Sequence, residues 1–190
     1  MLLPDNAATE LKRAYNSVVE AGVTHLWNHT LDSPIQARHV VALYQRAMTD
    51  YRTNTPESRL RAERWARAAK HLADALWHEA KIAYLRDRTA ELPYLSDAEA
   101  EYHLHDETED TAQALFAACS LIPEVNAGLE LETWLGRGRH HLAQLKDPHH
   151  PIHELLRAER IKAANQYGRA LECALLALEP SMRKPEKKAA

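Results

Sequence analysis

Apolar residues recur along most of this 190-residue chain at intervals of three and four, the spacing that gathers them on one side of an α-helix. From about Asn6 to Asn28, Leu11, Tyr15, Val18, Gly22 and Leu26 make one such stripe. Ser33 and Pro34 then open a second helix. The serine can cap it, and the proline takes the first helical position, where a missing amide hydrogen does no harm. Its stripe is Val40, Val41, Tyr44, Met48 and Tyr51. Thr55 and Pro56 repeat the same signal at the head of the longest helix, which is expected to reach about Thr89 and to lie at the centre of the fold. Its Leu60, Trp65, Ala69, Leu72, Leu76 and Ala83, with Trp77 and Tyr84 beside them, cover a wide apolar face.

Pro93 ends that run, and Ser96-Asp97-Ala98-Glu99 has the form of a capping box for a fourth helix. This helix extends to about Leu121 on Leu104, Thr111, Leu115, Ala118 and Ile122, before Pro123. A fifth helix, starting near Asn126, carries Leu131, Trp134, Leu135, Leu142 and Leu145. Gly136 and Gly138 interrupt it at about 1 kcal/mol each relative to alanine, which points to a close helix contact or a kink. After the turn Asp147-Pro148-His149-His150-Pro151, a sixth helix from Ile152 to Leu178 turns Leu156, Ala163, Tyr167, Ala170, Ala174 and Leu178 inward. The expected fold is therefore all-α, an up-and-down helical bundle of about six helices in a single domain over residues 1–180. Residues 181–190 form a basic tail for which no ordered structure is expected.

Composition agrees with this pattern, since only five glycines and one phenylalanine occur in a chain that is 45% apolar. No apolar run approaches the roughly 20 residues needed to span a bilayer, and Met1–Asp5 has neither the basic start nor the apolar stretch of a secretory signal. A cytoplasmic protein is expected. Cys119 and Cys173, far apart in apolar helical contexts, read as reduced core residues.

The net charge is only −3, but it is unevenly placed. Residues 89–136 hold eleven acids and no lysine or arginine, whereas residues 1–88 carry 13 basic against 10 acidic groups and residues 137–190 carry 11 against 6. An acidic middle flanked by basic helices can be neutralised within one chain or between two. Surface ion pairs contribute about 0–1 kcal/mol each, so this asymmetry selects which faces meet more than it stabilises them.

No glycine-rich phosphate loop, nucleophile elbow, kinase signature or paired-cysteine zinc pattern occurs. Twelve histidines do. His103 with Glu107, and His105 with Glu109, lie one helical turn apart, the spacing at which an imidazole and a carboxylate can share one ion. His140, His141, His150 and His153 are conceivable further ligands. His103 and Glu107 are the candidate metal ligands, against the plainer reading of a solvated acidic face, and no cofactor is expected. On the longest helix Arg64, Arg67, His71, Asp74, His78 and Lys81 form a polar ridge that either faces solvent or borders a cleft. The spacing of Arg64 and His71, with six residues between them, resembles that of HEPN domains, helical bundles that include metal-independent ribonucleases. Trp65 stands where that family usually places a polar residue. The resemblance implies His71 as general acid or base, Arg64 as the cation that stabilises a pentavalent phosphate, and dimerisation to complete the site.

The cluster Arg137-Gly138-Arg139-His140-His141, joined by the Lys184–Lys188 tail, could meet phosphates, but it has no adjacent aromatic residues on which bases stack. A protein partner or self-association is expected in preference to nucleic acid, with four tryptophans and seven tyrosines as possible anchors. The leading functional expectation is a non-enzymatic helical interaction or assembly module. The alternatives are a HEPN-like nucleic-acid-processing protein and a metal-binding bundle.

Overall fold

The computed structural model describes residues 5–27, 34–87, 130–145 and 154–182, and the regular elements among them are all α-helices. They are α1 (Asn6–Trp27), α2 (Pro34–Thr53), α3 (Pro56–Asp87), α4 (Leu131–Leu145) and α5 (Glu154–Met182). The expected fourth helix, with its capping box at Ser96, lies outside the described residues.

Local chemistry sets the helix starts. Asp5 caps α1 by accepting the Ala8 amide at 3.1 Å, and its other oxygen takes the Tyr51 hydroxyl and the Arg59 guanidinium, which fixes the start of α1 against the end of α2 and the start of α3. Between α2 and α3, Asn54 turns the chain with a φ of 59°, a left-handed conformation that asparagine tolerates. Thr55 and Ser58 then cap α3 reciprocally, each hydroxyl accepting the other's backbone amide, at 3.1 and 2.9 Å. At α4, Glu130 has a φ of 51°, outside the right-handed helical region, and the first turn begins at Leu131; the expected start near Asn126 lies outside the described residues.

Alanine dominates the contact faces. On α3, Ala62, Ala66, Ala69 and Ala73 are buried, and on α5 so are Ala163, Ala164, Ala170 and Ala174. Small side chains let helix backbones approach closely and leave room for a few large ones between them, here Leu43, Leu72, Leu131, Trp134, Tyr167 and Leu171. The long α3 packs against α1, α2 and α5, in keeping with its expected central place, while α4 packs chiefly on α5. Chain neighbours run antiparallel: Asp50 of α2 meets Arg61 of α3, and Arg46 lies over the Trp65 ring.

The stripes are displaced in places. On α1 the core is taken by Ala7, Leu11 and Ala14, and Tyr15 faces out. On α2 it is taken by Val40, Leu43 and Ala47, and Val41 faces out. Leu60 and Trp77 of α3 are likewise exposed. On α1 the small Ala14, which adjoins the bulky Tyr15, fits the close interface better. Of the two glycines in α4, Gly138 is buried, whereas a methyl group added at Gly136 would meet nothing within 4 Å.

Candidate functional site

Most polar side chains with chemical potential collect along the seam where α3 meets α5 and α4. Three residues of α3, spaced seven apart, point the same way every second turn: Arg64, His71 and His78. They meet Leu176, Gln166 and Glu159 of α5 in descending order, which defines an antiparallel pair.

Arg64 donates to the backbone carbonyl of Leu176. In an uninterrupted helix that carbonyl would accept the amide of residue 180, but residue 180 is proline and has no N–H. The guanidinium of α3 thus replaces the hydrogen bond that Pro180 withholds, and α5 continues to Met182 instead of stopping near Leu178. His71 donates from Nδ1 to the Gln166 side-chain oxygen at 2.7 Å, and its burial lowers its proton affinity below that of an ordinary histidine. Neutral His71 therefore carries its lone pair on Nε2.

At the far end of α3, Glu79 is buried and takes bonds from two residues of α4: Arg137 at 2.7 Å and His141 Nε2 at 3.0 Å. Burial alone would raise the carboxyl's proton affinity, but the His141 bond and the Arg137 charge outweigh it and hold Glu79 below the ordinary carboxylate range. Tyr167 of α5, fully buried, stacks on the His141 ring at 6.2 Å between centroids, and its hydroxyl reaches Arg137 and Glu79. Burial and the neighbouring negative charge push that hydroxyl well above the ordinary tyrosine range, so it stays protonated. His141 Nδ1 is buried and has no hydrogen-bond partner among the described residues.

About two turns of α5 from Tyr167 toward its start, Glu159 is only 2% exposed and gathers His78 Nδ1 at 2.7 Å, Lys81 at 2.9 Å and Lys162 at 3.6 Å. Burial opposes its ionisation, yet the bonds from His78 and Lys81 bring it down to about 2. A separate tie joins α4 to α2. The Trp134 indole N–H donates to His39 Nδ1 at 3.1 Å, which places the His39 proton on Nε2, facing Glu130 at 3.4 Å.

Of the ridge read from sequence, Arg64, His71, His78 and Lys81 thus meet α5, whereas Arg67 is exposed and pairs with Glu63 and Glu10, and Asp74 pairs with Lys70 of its own helix. Arg64 and His71 share one face of α3 but lie two turns, about 10 Å, apart along its axis, and each is engaged by α5. His103, His105, Glu107 and Glu109 lie outside the described residues, as do His150, His153 and Cys119. Among the described residues no group of three or more histidines, cysteines, aspartates or glutamates is placed to hold a metal ion. Within the basic cluster of α4, Arg137 and His141 turn inward to Glu79, whereas Arg139 and His140 are exposed. Partial burial, the neighbouring His141 ring and the Arg160 and Arg137 guanidiniums lower the proton affinity of His140. Cys173 is half-buried, with its thiol pushed up to about 11 chiefly by burial, so it is protonated and a poor nucleophile.

The groups at the centre of this arrangement, Glu79, Glu159 and Tyr167, do not stand out in the sequence as site residues. Glu79 adjoins the ridge without sharing its spacing, and its partners are 58 and 62 positions away. The one available signal was Glu79 and Glu159 lying among otherwise apolar positions, which marks a carboxylate whose partners come from elsewhere. No helix among the described residues is long and apolar enough to cross a membrane. Comparison with family models, curated proteins and solved structures gives no match to this chain.

Proposed function

We propose that this protein is a non-enzymatic helical module that self-associates and presents a helix face to a protein partner. The observation that carries this reading is an apolar patch across α1 and α2. Tyr15 and Val19, one turn apart on α1, are 55% and 47% exposed, and Val41 of α2 is 41% exposed. The Tyr44 ring, one turn beyond Val41, lies 6.1 Å from that of Tyr15, so the four side chains run together. Single exposed apolar residues are ordinary, whereas a contiguous aromatic and aliphatic group on adjoining helices is the character of a contact surface.

The polar seam supports the same reading from the other side. The Glu79 and Glu159 carboxylates are saturated by cations and imidazoles of neighbouring helices, and Arg64 is spent on a helix carbonyl. Groups used in this way hold α3, α4 and α5 together. Native mass spectrometry of the full chain at micromolar concentration tests the proposal, with a dimer or larger assembly as the expected result. A monomer would overturn it, and RNA cleavage abolished by Arg64→Ala and by His71→Ala would put the HEPN-like reading in its place.

A further inference from the structure

We infer that the bond between Trp134 and His39 is a proton-sensitive latch: a proton bound by His39 releases the indole and frees the head of α4 from α2. The indole N–H can only donate, so His39 Nδ1, 3.1 Å away, must present a lone pair. The ring's one proton then sits on Nε2, 3.4 Å from the Glu130 carboxylate. Only a neutral imidazole fits this position. A second proton would have to go on Nδ1, where it would point at the indole hydrogen, and neither group could accept from the other.

The surroundings give that proton an effect. Trp134 is fully buried, so an indole N–H that loses its acceptor has no water to turn to. The His39 side chain is 14% exposed, which lets a proton in, and the carboxylate of Glu130, half exposed at the head of α4, attracts the imidazolium once it forms. The ring thereby exchanges Trp134 for Glu130 as its partner. Among the described residues it has no other hydrogen-bond or ion-pair partner on α1, α2 or α3. Arg38, beside it on α2, is exposed, while Arg137 and His141, about one and two turns beyond Trp134, are engaged by Glu79. Because α4 packs chiefly on α5 and its far end is tied to Glu79, an open latch frees the head of the helix and leaves the rest docked.

Nuclear magnetic resonance of the full chain carrying isotope-labelled tryptophan tests the latch between about pH 8 and pH 5, the span in which imidazoles change charge. That span lies above 4.5, where the loss of stability through Glu159 begins. The Trp134 indole signal is assigned from Trp134→Phe, and circular dichroism checks the fold at each pH. The hydrogen-exchange protection of that indole, relative to a free indole at the same pH, should fall about tenfold as the His39 ring takes its proton. His39→Gln offers a carbonyl that binds no proton and should hold one level of protection across the range. Glu130→Gln removes the attracting charge and should move the transition to lower pH. Wild-type protection that stays constant over the span would overturn the inference. So would a fall that persists unchanged in His39→Gln, which would assign the effect to another histidine such as His141.

Discussion

Removing a carboxylate from water costs several kcal/mol, and the cost is met only when cations and hydrogen-bond donors surround it on the inside. Glu79 meets that condition through residues of two other helices, with Arg137 and His141 bonded to its two oxygens and the Tyr167 hydroxyl nearby. The neutral isostere keeps the shape and removes the charge. Glu79→Gln should therefore destabilise the fold by about 2–3 kcal/mol in chemical denaturation, because Arg137 loses its counterion and the His141 N–H faces a weaker acceptor. Tyr167→Phe, which removes one neutral donor, should cost about 1 kcal/mol. If Glu79→Gln proved harmless, the Arg137 guanidinium would have to find full solvation by reorienting, and the network would not be holding α4 to α3.

Arg64 and Pro180 act on the scale of an element. Proline in a helix leaves the carbonyl four residues earlier without its donor, and helices ordinarily kink or stop there. Here α5 runs two residues beyond the proline while Arg64 occupies the orphaned Leu176 carbonyl. Arg64→Ala should cost about 1–2 kcal/mol in the native chain. Pro180→Ala restores the missing N–H, and in that background the same Arg64→Ala change should cost about 1 kcal/mol less. A double-mutant cycle by urea denaturation measures the difference, and strict additivity would sink the link between the two residues.

The same case shows what the sequence could and could not reveal. Pro34 and Pro56 behind capping residues mark the helix starts that are observed, because the signal and its effect lie within one turn. Leu131, Trp134 and Leu135 read as core and are core, since their volume leaves them no other place. Tyr15 and Val41 read as core and are not. For Tyr15 an alternative of similar period sat one residue away in Ala14, and only the closeness of the packed helices chooses between them; Val40, read as core beside Val41, is core. Arg64 and His71 were visible as a pair, but what they bind was not: Leu176 and Gln166 are 112 and 95 positions distant and have no distinctive spacing.

On the scale of the whole molecule, the helices α1, α2 and α3 are joined to α4 and α5 partly through two buried carboxylates, Glu79 and Glu159. Glu79 sits on α3 and Glu159 on α5, each reaching across the seam, so their ionisation is linked to docking. The folded-state affinity of Glu159 for a proton is depressed, to about 2 against an ordinary 4.5. A group depressed in this way adds stability that is complete above 4.5 and is lost as the pH falls from there through 2, because the unfolded chain binds the proton first. Glu79 is shifted in the same direction and adds to the same loss. Stability measured by urea denaturation should accordingly decline as the pH is lowered below 4.5, and the decline should be shallower in Glu159→Gln, which has no proton to take up. Hydrogen exchange locates the effect. The short α4, packed chiefly on α5 and tied to α3 through Glu79, should lose amide protection at a higher pH than the α3 centre around Leu72, which is held by apolar contacts that do not titrate. Equal loss in both regions would mean that the two halves melt as one unit and that the carboxylates stabilise the whole rather than the seam.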